Sequence, residues 1–118
     1  MHLRGPVSRA ELLQARSPEL VADVTLYPSG SGGREAEVSV GWGCPCCVSN
    51  MSPIVGYDGW PLLGDRPLRP GEQRRLGFVF GSGAEAASVL RNAGRFFLWE
   101  GGFIGEARVV GDDDGGPS

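Results

Sequence analysis

Three cysteines fall within four residues of this 118-residue chain, in the stretch GWGCPCCVSN, and it has no others. Thiols this close suggest two kinds of chemistry. As thiolates, Cys44, Cys46 and Cys47 could hold zinc, but a structural zinc site takes four ligands, usually from two separated knuckles. The chain adds a single histidine, His2, so the fourth ligand would come from that arm, from acids or from a second chain. As a C-x-x-C, Cys44 and Cys47 could cycle between dithiol and disulfide. Redox motifs of that type use a helix N-terminus to depress a thiol pKa, and VSNMSP, which follows, is a poor helix former. The expectation is three covered loop thiols with no cofactor. Metal binding through Cys44, Cys46 and Cys47, with zinc as the ion, is the first alternative, and reversible redox is the second.

Arg66, Arg69, Arg74 and Arg75 form a second cluster, close in sequence to Tyr57 and Trp60. Arginine interleaved with aromatics can bind phosphate and stack on bases. Asp58, Asp65 and Glu72 are interspersed among them, which favours a solvated mixed-charge loop over an RNA or acidic-protein contact. Catalysis finds little to work with. A Ser-His-Asp arrangement needs a placed histidine, and the only one is second in the chain; Asp112 to Asp114 are a run rather than a preorganised carboxylate pair. A non-catalytic role is expected.

Net charge of -3 and a pI near 5.1 argue against a main task of non-specific binding to nucleic acid or anionic membrane, because such binding works by neutralising phosphates. All 11 cations are arginine, which reads as GC-rich codon usage. No run approaches the roughly 18 apolar residues of a membrane span, and the first twenty residues lack the apolar core of a secretory signal. Together with an odd cysteine count in one loop, which makes a poor disulfide framework, this gives a cytoplasmic expectation and no membrane partner.

The elements that must position these residues are mostly strands. Residues 1–18 read as an arm with a short apolar patch at Leu12, Leu13 and Ala15. From Leu20 the chain alternates strictly, with Leu20, Ala22, Val24 and Leu26 on one face. PSGSGGR supplies a tight reversal, and EAEVSVGW alternates again with Ala36, Val38, Val40 and Trp42 inward, so a hairpin is expected. The stretch from Ile54 to Gly71 carries repeated turn signals and leaves room only for irregular edge pieces. EQRRLGFVF resumes as a strand with Leu76, Phe78 and Phe80 on one face. SGAEAASVLRNAG reads as the single helix, about residues 83–93, with Ser82 as N-cap, Glu85 completing a capping box, and Gly94 as the stop. Its stripe of Ala86, Val89, Leu90 and Ala93 would dock on the sheet. Two last strands flank Glu100-Gly101-Gly102-Phe103, with Phe96, Phe97 and Trp99 as core and wall packing. Residues 111–118 read as an acidic disordered tail. Six strands, one helix and no βαβ rhythm give a small antiparallel barrel or sandwich.

The order of these motifs resembles the C-terminal, third domain of translation elongation factor Tu. ELVADVTLYPSGSGGREAEV is similar to that family's opening strand, Gly-Gly-Arg turn and second strand. RPGE is similar to its Pro-Gly-acid turn, RFFLWEG to its penultimate strand, and EGGFIGEARVV to its Glu-Gly-Gly turn and last strand. The resemblance spans residues 19–110 and implies a mainly β, six-stranded antiparallel Greek-key barrel with one short helix. In its last motif, Gly101 and Gly102 would take positive φ, Gly105 would allow close backbone approach, and Glu100 would accept hydrogen bonds from turn amides. Phe103 stands where the family usually has arginine, and the cysteine loop and helix replace its central segment. No GxxxxGK[ST] loop is present, so no GTP binding is expected. What the resemblance implies about function is a binding or adaptor module with a protein partner. RNA binding through the arginine loop, or a metal- or redox-responsive cysteine loop, are the alternatives.

Overall fold

A computed structural model of the chain describes residues 16–30 and 33–111. The expected arm, apart from Arg16 to Pro18, and the expected acidic tail, apart from Gly111, lie outside them, as does His2. The chain forms strands β1 (Leu20–Leu26), β2 (Cys44–Cys47), β3 (Gly56–Leu62) and β4 (Gln73–Phe80), helix α1 (Ala84–Ala93), and strands β5 (Arg95–Trp99) and β6 (Phe103–Val109). The strands close into an antiparallel barrel in the order β1-β4-β3-β2-β5-β6. In this order the hairpin-linked β2, β3 and β4 return β4 to the side of β1, a Greek key.

Strand β1 forms as its alternation predicts. Leu20, Ala22, Val24 and Leu26 are all buried, and the residues between them are half-buried on the outer wall. It pairs with β4 on one side, Asp23 facing Arg75, and with β6 on the other, Asp23 facing Arg108. This double pairing overturns the expected hairpin. Both edges of β1 are taken when the barrel closes, so the 35–42 segment has no edge to join despite its period-2 pattern. Its ladder is reduced to one bridge between Val38 and Leu68, held by Val38 N–H to the Leu68 carbonyl at 2.8 Å and Leu68 N–H to the Val38 carbonyl at 3.0 Å. Val38 and Leu68 join the core and stopper one end of the barrel; Ala36 is exposed.

The expected cysteine loop is a strand, and the expected irregular piece after it is a seven-residue strand inside the barrel wall. The two fit because glycines of β3 lie against sulfurs of β2. Gly56 faces Cys47 and Gly59 faces Cys44 across the ladder. A Cβ on Gly59 would sit 2.8 Å from both Cys46 Sγ and the Phe80 ring, so the turn-like glycine is a packing requirement.

Leu76, Phe78 and Phe80 face inward on β4, and Phe78 meets Phe96 edge-on at 5.3 Å between ring centroids. Helix α1 carries the chain from β4 to β5 and closes the other end of the barrel. It buries Ala86, Ala87 and Leu90, leaving Val89 half-buried and Ala93 exposed. Its N-cap is Gly83 without a side-chain cap bond, not Ser82, while Gly94 takes the expected left-handed stop at φ 80°. Of the two turn glycines only Gly101 has positive φ, at 71°. Gly105 does permit close approach, since a Cβ there would meet the Thr25 carbonyl oxygen at 2.6 Å. No helix among the described residues is long and apolar enough to cross a membrane.

Candidate functional site

Strand alternation separates the three thiols. Cys44 and Cys46 point into the core and Cys47 points to the outer wall, where it lies against Gly56 and pairs in register with Phe97. They do not converge on one point, and no group of three or more His, Cys, Asp or Glu side chains able to hold a metal occurs among the described residues. All three are free thiols and buried. The Cys46 thiol is pushed well above its ordinary pKa, first by hydrogen bonding with Cys44 and then by burial; Cys47 is pushed up by burial and the neighbouring Cys44. The nucleophile and metal ligand is the thiolate, so both shifts suppress reactivity at neutral pH.

The arginine cluster is likewise divided. Arg74 is a strut rather than a contact surface. Its Nε and Nη2 donate to Glu72 Oε2 at 3.1 and 2.8 Å, Nη1 donates to the Arg66 carbonyl at 2.8 Å and Nη2 to the Pro67 carbonyl at 2.8 Å. Glu72 Oε1 accepts the Arg69 backbone N–H at 3.0 Å, and that bond, with Arg74 next, holds the Glu72 carboxyl below its ordinary pKa. Arg74 thereby ties the 66–72 turn to its own strand. Arg75 points to the other side of β4 and forks onto Asp23 at 2.8 and 3.1 Å. Tyr57 faces the core, whereas Trp60, three residues on, lies on the outer wall over Gly43. The six residues therefore do not form one site. Arg66, Arg69 and Arg74 share an open depression of about 660 Å³ with Glu37 and Glu72, and Trp60 lines a separate one of about 410 Å³ beside Asp58.

Glu100 does not accept turn amides. Its carboxylate takes the Trp42 indole N–H at 2.8 Å and pairs with Arg34 at 2.9 Å, pinning the 33–42 segment to the β5–β6 turn. Arg34 also stacks over Trp42, 5.9 Å from the ring centroid. These groups and the Arg74 strut all lie at the barrel end where β1, β3 and β5 finish.

The opposite end carries a feature that motif reading passed over. The large hydrophobic side chains exposed among the described residues are Val48, at 40% exposure, Met51 at 71%, Ile54 at 38% and Val55 at 56%. All lie in the β2–β3 connection, beside the end that α1 closes. The available signal was an apolar pattern, V-x-x-M-x-x-I-V, that straddles VSNMSP and the start of the Ile54–Gly71 stretch.

The chain matches no protein-family model and none of the curated proteins.

Proposed function

We propose that this barrel is a non-catalytic binding module whose protein partner docks on the β2–β3 loop. The observation that carries the reading is the concentration of exposed apolar side chains at Val48, Met51, Ile54 and Val55, while no other large hydrophobic side chain among the described residues is exposed. Several large apolar side chains exposed on one loop mark an interaction site, whereas apolar residues exposed singly do not. Full burial of one such side chain is worth about 1.5–3 kcal/mol, so cover over this loop alone supplies several kcal/mol. The order of motifs supports a relation to the third domain of elongation factor Tu, which implies a domain that acts by contact. Three buried, reduced thiols support a reducing compartment and hence the cytoplasm.

The test is the affinity of an isolated partner for the chain and for a Met51→Asp, Val55→Asp variant. A loss of about tenfold or more with the fold retained is expected, and unchanged affinity sinks the reading. A second reading is favoured by one observation: among the described residues no ion pair engages the side chains of Arg66 and Arg69, which border the 660 Å³ depression. RNA bound there would show an affinity that falls steeply with salt.

A further inference from the structure

The outer wall of the barrel carries a row of charge that no short stretch of sequence displays. Across four adjacent strands, Arg75 of β4 faces Asp23 of β1, Asp23 faces Arg108 of β6, and Arg108 faces Arg95 of β5. With neighbouring strands about 4.8 Å apart, the row spans roughly 14 Å. It holds three arginines and one carboxylate. That carboxylate is already forked by Arg75, and no ion pair engages Arg108 or Arg95 among the described residues. Like charges directly opposite on a ladder destabilise it, so the fold gains nothing from placing Arg95 across from Arg108. The nearest further acid, Glu106, sits one row along and takes the Tyr27 hydroxyl at 3.1 Å.

Beside this arginine pair the wall turns aromatic. The Arg95 guanidinium lies 5.1 Å from the centroid of the Phe97 ring, which pre-positions it. Phe97 and Trp99 each meet Phe103 edge-on, at 5.9 and 4.9 Å. Along β5 the outward positions therefore read cation, aromatic, aromatic at every second residue, close to 6.7 Å apart. A closed barrel has no free edge for strand addition, so a ligand here is held by side chains.

We propose that this wall binds an extended segment of a partner protein bearing one carboxylate, with that carboxylate on Arg95 and Arg108 and apolar side chains farther along the segment on the half-buried Trp99 and Phe103, while Phe97, itself buried, backs the Arg95 guanidinium and the Phe103 ring. The proposal goes beyond the loop contact to a second surface, and rests on the protein-binding reading. A protein segment with a single carboxylate fits better than a nucleic acid because the whole chain is acidic, at -3, and Asp23 and Glu106 border the row and would repel a run of anions. The carboxylate adds to the counter-charge of Asp23, which faces Arg108 but is forked by Arg75.

The test uses the full chain and a labelled synthetic peptide bearing a glutamate followed two and four positions later by leucine, with serine elsewhere. The expected result is saturable binding that weakens about tenfold or more in an Arg95→Glu, Arg108→Glu variant and is unchanged in an Arg66→Glu, Arg69→Glu variant. A Trp99→Ser variant that weakens binding with both arginines in place would support the aromatic half. Absence of peptide binding, or equal binding by the Arg95→Glu, Arg108→Glu variant, overturns the proposal. So does tighter binding of an oligouridylate of equal charge to the same arginines. An isolated partner that still binds the Arg95→Glu, Arg108→Glu variant but not the Met51→Asp, Val55→Asp variant would overturn this wall contact and leave the loop reading standing. Loss in neither variant would remove both.

Discussion

The two ends of the barrel solve opposite problems. At one end, where β1, β3 and β5 finish, long connections are held down by polar side chains that satisfy one another: Arg74 makes four hydrogen bonds and Glu100 clasps both Trp42 and Arg34. At the other end the β2–β3 loop leaves four large apolar side chains in water. Charged residues that suggest binding chemistry thus serve the fold at the first end. At the second, residues with no chemistry of their own leave apolar surface exposed. A group whose hydrogen bonds are complete has little left to offer a ligand, whereas exposed apolar area can only gain by cover.

The comparison breaks first at Arg74. An Arg74→Ala substitution removes the fork from Glu72 and the donors to two carbonyls, so unfolding in denaturant should show a loss of about 2 kcal/mol. Lysine should not restore it, because one ammonium cannot span the same three acceptors. A loss below about 0.5 kcal/mol would mean that the polar end is not held as described.

Next is the Glu100 clasp. Glu100→Ala should cost about 1 kcal/mol by the same measurement, less than Arg74→Ala because this carboxylate is 40% exposed and the pair is screened by solvent. Increased amide exchange confined to residues 34–42 and the β5–β6 turn would locate the effect.

Acid sharpens the same contrast. The Glu72 carboxyl is lowered by the Arg69 amide and Arg74, and Asp23 is lowered by its hydrogen bonds to Arg75. A carboxyl lowered by folding contributes stability above its unfolded pKa and loses it as pH falls through the folded value. The denaturation midpoint should therefore fall as pH drops below about 4, and Glu72→Gln should flatten part of that fall. A midpoint insensitive to pH in this range would contradict the strut.

The smallest effects belong to the exposed groups. Met51→Asp with Val55→Asp should leave stability within about 0.5 kcal/mol, since those side chains make little use of the folded state. Arg108→Thr should raise it by roughly 0.5 kcal/mol through relief of the Arg95 opposition, read as a small rise in thermal midpoint. A marked loss in either variant would show that these groups support the fold.

Much of this architecture is legible in the chain, and the parts that are not have physical reasons. Alternation places the inward faces of β1 and β4, and Gly94 marks the end of α1, because those signals are local. The false hairpin at 35–42 arises because period-2 patterning says which face is buried but not which edge is free. The strand character of CPCC and GYDGW is hidden for a related reason: Gly56 and Gly59 read as turns until the sulfurs they make room for are known. Sequence proximity grouped Arg74 with Arg75, yet adjacent residues on a strand point to opposite faces. The row from Arg75 to Arg95 draws on four strands, so it exists only in the register.

The most direct test of the central claim is site-specific photocrosslinking in the protein's own cell, with a photoreactive side chain in place of Met51 at one end and, separately, of Arg69 at the other. The expected result is a discrete protein adduct from position 51 that is lost when Val55 is also changed to aspartate, with none from position 69. Adducts from position 69 alone, to protein or to RNA, would place the binding surface at the polar end and contradict the account.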